Sequence, residues 1–441
     1  MVVIPIGELA VQARSAPGQR WLADLLASLP AAAAGVGSAQ QQLARQTLAG
    51  VALPSRRQEA WRFTDSGAIT AIPAHPLECL PAPEGLPAPQ ADVLRLVLDG
   101  RRDPLAGLTL PDGLERLDSE AVSSLLGGVL EATGSESSWP VTLNGALAAQ
   151  VLALRVTQPL STMLELVCDT GTAAGVLGQR LLLVVDPEAS LELLEVHRAG
   201  GASLTSVVVE ARLGQGARLR HGLLAQGQPP QPDDTDLSAP PGAAPVLLHH
   251  LAAIQDSGSE LELVAAVSGW ALARLEPVVV QRDGAAFTRL RGLQRVDGRQ
   301  VADTHSRVLF NGPEGRLDQV HKALADGAGR SVFNGAVVVP RQAQRTDAVQ
   351  LSRSLLLSDR ARIDTKPELE IVADDVKCAH GATVSRLQQD ELFYLQSRGI
   401  AAAQAQNLLL RGFCEEVLAD LPAPAALWQP LARLMGEDPL R

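Results

Sequence analysis

The stretch DSGSELELV (Asp256 to Val264) compresses a turn and the start of a strand into a few residues. Asp, Ser and Gly make tight turns because their short side chains bond the local backbone or leave φ unrestricted. Glu-Leu-Glu-Leu then alternates polar and apolar, the period of a strand with one buried face. The same shape recurs in DPEASLELL, GQGARLRHG, RDGAAFTRL, GPEGRLDQV and SDRARIDTK. In chain order, the first apolar residues after the turns are Leu191, Leu219, Leu261, Phe287, Leu317 and Ile363, separated by 28, 42, 26, 30 and 46 residues. A strand–turn–strand unit of this size points to a solenoid, in which each coil buries its face against its neighbours. The interval of 42 contains GQPPQPDDTDLSAPPGAAP (Gly227 to Pro245), whose composition reads as a disordered loop inserted in one unit. The interval of 46 accommodates two shorter units. An antiparallel β-sandwich is the competing architecture. The low aromatic content, 3%, and the Leu, Val and Ala richness of the strands tilt the pattern toward a narrow β-helix.

Outside about 151–385 the texture is different. In QRWLADLLASLP, Trp21, Leu22, Leu25, Leu26 and Leu29 recur at helical spacing before Pro30, and AQQQLARQTLAG forms a second helix ending at Gly50. The segment 1–90 is thus a helical region closed by the Pro-rich PAPEGLPAPQAD. In 91–150 a strand, VLRLVLDG, precedes an amphipathic helix, LERLDSEAVSSLLGGVLEA. Helical periodicity returns over 386–441. DELFYLQSRG carries Leu392, Phe393 and Leu395 before a helix-ending Gly399, and Leu410, Phe413, Val417 and Leu421 line one face of the next helix. Helices in this position would cap the open edge of a solenoid or offer a partner a docking surface.

Composition narrows the function classes. A formal net charge of −11 repels a phosphate backbone and argues against general nucleic-acid binding. No apolar run has the length of a membrane-spanning helix, and the start lacks the pattern of a signal or transit peptide, so a cytoplasmic setting is expected. The four cysteines, Cys79, Cys168, Cys378 and Cys414, are scattered and suggest no disulfide framework. No GxxxxGK[ST] is present, so no nucleotide site of the P-loop kind is expected. Asp303-Thr304-His305-Ser306 and His249-His250 put neighbouring residues on opposite strand faces and make no triad. Arg353, Arg360 and Arg362 read as a basic patch paired with nearby acidic groups.

The most suggestive chemistry is in DDVKCAHGAT (Asp374 to Thr383). Reading PELEIVADDVKCAHGATV as one interrupted strand, Val376, Cys378 and His380 share a face, with Cys378 and His380 roughly 6.6 Å apart along it. That spacing suits two ligands of one metal ion, or a thiolate whose pKa the imidazole lowers. It suits equally a buried cysteine beside a satisfied histidine. The residues alone leave both readings open.

HKALADGAGRSVFNGAVVV (His321 to Val339), QRTDAVQLSRSLLLSDRARIDTKPELEIVADDVKCAHGATVSRL and DELFYLQSRGI closely resemble the SufB/SufD family of iron–sulfur cluster assembly proteins. LPSRRQEAWRFTD (Leu53 to Asp65) and TLNGAL (Thr142 to Leu147) resemble that family's upstream motifs. The CAHGAT segment is similar to the SufD-type version, since SufB-type chains carry a Glu-containing variant. The resemblance implies a right-handed parallel β-helix core flanked by helical regions. It also implies a non-enzymatic scaffold that pairs with SufB, with a SufC ATPase docked on the C-terminal helices. His380 is then the candidate ligand, and Cys378 a weaker one, for a nascent iron–sulfur cluster shared with SufB. No catalytic residue is implied. The family's sulfur-accepting cysteine aligns near Ser352, which is no thiol, so this chain would need a partner's thiolate to close a cluster. Without SufB, a homodimer is possible. Two rival functions follow from the fold and the residues: a carbohydrate-active lyase or hydrolase on a β-helix, and a purely structural partner without a ligand role.

Overall fold

The computed structural model describes residues 17–31, 37–77, 80, 82–148, 150–228 and 244–437. The bulk of the Pro-rich insertion expected at 227–245, and Cys79, lie outside these. Two nine-stranded sheets face each other as a parallel β-solenoid of about eight turns. Sheet I begins with Val93–Val97 and Met163–Asp169 and ends with Asp347–Leu356 and Lys377–Ser385; sheet II ends with Arg330–Val339 and Arg362–Ile371. All strand pairs are parallel except Leu114–Arg116 with Val151–Val156. Parallel pairing excludes the sandwich. Between the sheets runs an aliphatic core that includes Leu191, Leu193, Leu219, Leu223, Leu251, Leu261 and Val279.

The turn that opened the sequence reading is the repeating corner of this solenoid. Its third residue has positive φ in coil after coil: Glu188 (62°), Gly216 (67°), Gly258 (69°), Ala285 (51°), Glu314 (62°) and Arg345 (59°). L residues adopt this conformation reluctantly, and here the geometry is held by stacking. The N–H of Glu188 donates to the Gln215 carbonyl (2.9 Å), Gly216 to Ser257 (3.0 Å), Ala285 to Pro313 (2.8 Å) and Glu314 to Gln344 (2.8 Å), each in the following coil. The next residue is small and fully buried, as at Ala189, Ala217, Ser259 and Ala286. On the opposite side, Gly227 and Gly269 touch backbone to backbone. A Cβ on Gly269, whose φ is +79°, would strike the Gly227 carbonyl oxygen.

Register corrects two details of the sequence reading. Leu191, Leu219, Leu261 and Leu317 do stand in one inward column, but Thr288 occupies it between the last two, and Phe287 is displaced by one residue. The Thr288 hydroxyl is accommodated inside by donating to Gln255 Oε1 (2.5 Å) and accepting from Gln281 Nε2 (2.8 Å). The column continues through Ala348 to Cys378, whereas Ile363 belongs to sheet II. A small inward residue, Ala348, thus marks the coil hidden in the interval of 46. Likewise PELEIVADDVKCAHGATV is two strands, Arg362–Ile371 in sheet II and Lys377–Ser385 in sheet I, joined by a turn. LERLDSEAVSSLLGGVLEA is also divided: Leu114–Arg116 is a strand, Asp118 caps the helix Ser119–Leu125, and Gly127 (φ 87°) separates that helix from Gly128–Thr133.

Helices cover the outer faces of the sheets. Pro17–Ser28 and Ser38–Ala49 bury Trp21, Leu22, Leu25 and Leu48 against Leu204, Val246, Leu248 and Leu272 of sheet II. Ala402–Leu418 and the segment after it bury Cys414, Val417, Leu421 and Trp428 against Val196, Leu224, Val264 and Leu324 of sheet I. The C-terminal helices therefore pack along a face, correcting the expectation of a cap on the solenoid's end. Phe393, next to the buried Leu392, is 72% exposed.

The motif LPSRRQEAWRFTD anchors the N-terminal region to sheet II. Trp61 lies under the Arg274 guanidinium, 4.1 Å from ring centroid to Cζ. Arg274 pairs with Glu276 (2.6 Å) and with Asp303, to which the Thr64 hydroxyl also donates. His305 approaches the second Asp303 oxygen (3.0 Å), and His250 holds Glu276 (3.0 Å). Burial alone would raise the Asp303 pKa, but Arg274 and His305 hold it below the usual carboxylate range. Removing one partner of such a buried pair leaves an uncompensated charge. Asp303→Ala is accordingly expected to lose about 3–5 kcal/mol, read as a lower urea midpoint; a midpoint within error of the parent would contradict this account.

Candidate ligand site at the open end of the solenoid

Lys377–Ser385 is the last strand of sheet I, and Arg362–Ile371 the last of sheet II. Each is paired on one side only. The register Ala348↔Cys378 and Gln350↔His380 places both site residues over positions whose side chains are buried inside the preceding coil. Cys378 and His380 therefore share the inward face, as alternation along a strand requires. No further coil covers them among the described residues. Cys378 is half-buried and packs on the aliphatic core, and His380 is exposed. An interior position is thus turned outward to solvent because the stack stops here.

Burial pushes the Cys378 pKa up, Asp347 adds to the rise, and a hydrogen bond with the Ala348 backbone opposes it. Ser352 is fully buried one strand inward, opposite Ala382, and its hydroxyl accepts from Thr365 (2.9 Å). Cys168 lies inside the solenoid's N-terminal part, in Met163–Asp169, where burial raises its pKa strongly. Cys414 sits on the helix Ala402–Leu418 with its pKa pushed up to about 11 by burial. The three described cysteines do not converge, and all are free thiols.

Other groups singled out in the sequence take structural places. Arg353 reaches Glu416 on the C-terminal helix (3.8 Å). His249 and His250 point to opposite faces, His249 toward Glu195 (3.1 Å) and His250 toward Glu276. Asp303 and His305 meet outside the sheet, while the Thr304 and Ser306 hydroxyls accept from Gln294 and Gln319 within it. What sequence reading missed is that Glu195, His197, His221 and His249 converge inside the solenoid. They are spread over three strands of both sheets, and a single sequence reveals no such juxtaposition before the coil register is known.

Residues 168–413 match the family described as SUF system FeS cluster assembly, SufBD core domain. The chain is 32% identical over 410 residues to the iron–sulfur cluster assembly SufBD family protein slr0076 of Synechocystis, covering 87% of each. It is 43% identical over 169 residues to the chloroplastic protein ABCI7 of Arabidopsis thaliana, 38% of this chain and 36% of the relative. Over 146 residues it is 39% identical to the iron–sulfur cluster assembly protein SufD of Escherichia coli, 33% of this chain and 34% of the relative.

The exposures set an order of thiol reactivity. In the native chain Cys378 is expected to alkylate with iodoacetamide well ahead of Cys168 and Cys414, with a rate still climbing about tenfold per pH unit between pH 7 and 8, because the thiolate is the nucleophile. Peptide mapping after timed quenching measures this. Equal labelling of Cys414 under native conditions would show the helix packing to be wrong.

Proposed function

This chain belongs to the SufBD family of SUF-system iron–sulfur cluster assembly proteins, and from that membership we propose that it is a non-enzymatic scaffold subunit pairing with a SufB-type chain. The observation that carries the reading is the uncovered last coil with His380 on its inward face. An open solenoid end exposes unpaired backbone groups on two edge strands, a surface prone to pairing with another chain. Ile371, Val372 and Val384 are 40%, 50% and 44% exposed beside it. The chain's own C-terminal helices are committed to the face of sheet I, so cover for this end comes from a partner whose coils continue the two sheets. In isolation, a second copy takes that place.

In that arrangement His380 faces the partner and serves as one ligand of the cluster under assembly, which is cargo and not a resident cofactor. Cluster iron is usually held by thiolates, with imidazole replacing thiolate in some centres. Cys378, half-buried with a raised pKa, is the weaker contributor; the remaining thiolates come from the SufB-type chain. Ser352 offers no thiol, so sulfur is received on the partner. Nucleotide chemistry belongs to a SufC-type ATPase. Its proposed dock is the pair of helices Gln389–Ser397 and Ala402–Leu418, where Phe393, Tyr394 and Leu408 are 72%, 58% and 50% exposed. Phe393 and Tyr394, adjacent exposed aromatics on the first helix, are the residue types that anchor interfaces. The proposed setting is the cytoplasm, in keeping with the free thiols.

Anaerobic co-expression with SufB-type and SufC-type partners tests the ligand role. His380→Ala should leave the complex intact by size exclusion while abolishing its visible cluster absorption and its bound iron and sulfide. A full cluster on the variant complex would make the histidine architectural and the chain a purely structural partner. For the dock, Phe393→Ala with Tyr394→Ala should weaken binding of the ATPase by about thirtyfold, the scale of a lost interface anchor of about 2 kcal/mol. Unchanged affinity by calorimetry would move the dock elsewhere.

A further inference from the structure

Deep inside the solenoid, far in sequence from Cys378 and His380, four titratable side chains meet. Glu195 and His197 point inward from Ser190–Ala199. His221 comes from the next coil of sheet I, where it pairs in register with Leu193, and His249 from Val246–Gln255 of sheet II across the interior. All four are 3% exposed or less. Glu195 Oε2 lies 3.0 Å from His197 Nε2 and 3.1 Å from His249 Nε2, and Glu195 Oε1 lies 2.9 Å from His221 Nε2.

Hydrogen bonding does not satisfy this cluster. The contact between Glu195 Oε1 and His221 Nε2 is too poorly aligned for a hydrogen bond, and both atoms are left buried without a partner, as is His197 Nδ1. Unmet polar atoms in an aliphatic interior are rare in stable folds and call for a ligand or ion. One carboxylate oxygen and three imidazole nitrogens are the donor set of a four-coordinate zinc-type centre. Bonds of about 2.0–2.2 Å put neighbouring tetrahedral donors about 3.3 Å apart, and the contacts of Glu195 Oε2 with His197 and His249 are 3.0 and 3.1 Å. Donor atoms of Glu195, His197 and His249 all lie within 4.8 Å of one another, while His221 faces the other carboxylate oxygen, Oε1, outside that trio, and completes the shell by turning its ring toward the three.

Charge agrees with this geometry. Burial would raise Glu195, but His249, His221 and the bond to His197 hold it well below the ordinary carboxylate range, leaving an anion for a cation to meet. A cavity of about 270 Å³, walled by Gly100, Leu105, Leu152 and Leu166, is also lined by Glu195.

We propose that Glu195, His197, His221 and His249 form a closed four-ligand site for one divalent first-row transition-metal ion of the zinc type. The ion ties two coils of sheet I to sheet II. With four protein ligands no position is left for substrate, so its role is structural. The site stands apart from the open-end reading and does not depend on it.

Cobalt(II) is the direct probe. Untagged full-length chain, stripped with chelator, is titrated with cobalt(II) and followed in the visible. Strong tetrahedral d–d bands saturating at one equivalent, bleached by zinc(II), are expected, together with a zinc-dependent rise in melting temperature. Glu195→Gln, His221→Gln and His249→Gln should each lose the bands, whereas His380→Ala should keep them. The parent titration needs no variant to fold, so misfolding of a substitution cannot mask the answer. No tetrahedral bands on a parent chain with native circular dichroism would overturn the proposal. Bands that survive all three interior substitutions, or vanish in His380→Ala, would do so equally.

Discussion

Everything in this molecule depends on coils stacking in register, and the corner turn is what keeps them there. A residue with positive φ turns its N–H along the solenoid axis, and that N–H bonds the corresponding corner of the following coil. The small buried residue after it lets the chain pass close beneath its neighbour. Because side chains alternate with period two, one residue of slippage would send a coil's inward set to solvent. The corner ladder prevents this even where the column carries Thr288 in place of an aliphatic residue. Polar inward residues are tolerated for the same reason, since a fixed register lets Gln255, Gln281 and Thr288 satisfy one another.

A solenoid solves its core internally but leaves two outer faces and an end. Each sheet buries an outer face under helices, sheet II through Trp21, Leu25 and Leu48 and sheet I through Val417, Leu421 and Trp428. The N-terminal cover is pinned by a charged cluster over Trp61, whose worth lies in its completeness because each buried charge there has a partner. With the helices spent on the faces, the last coil stays open. The protein is thereby specialised at one end: inward positions that are core elsewhere become surface at Cys378 and His380. At that end a solvent-facing imidazole stands on a rigid sheet, with no further coil over it among the described residues.

Much of this was legible beforehand. The recurring turn and the alternation after it predicted a solenoid, and the residues of its corners were identified correctly at Leu191, Leu219, Leu261 and Leu317. Errors arose where the inward residue was atypical. Thr288 and Ala348 carry too little hydrophobic signal to mark a coil, so Phe287 and Ile363 were put in their places. The helix read through Leu114 to Ala132 failed at Gly127, whose left-handed φ ends one segment and starts the next. The C-terminal helices were recognised by period, but period does not say whether an apolar stripe lies on a face or across an end.

The sequence by itself determined the coil, the flanking helices, the family and the shared face of Cys378 and His380, because turn chemistry and alternation are local properties and the motif's spacing is two residues. Tertiary structure decided where that face lies, that burial raises the Cys378 pKa, and that Glu195, His197, His221 and His249 meet. Distance along a solenoid's chain and distance in space are related only through coil register, which hydrogen bonds between corners set and no single stretch encodes. Residues 54 apart, such as Glu195 and His249, become neighbours only when two sheets close on each other.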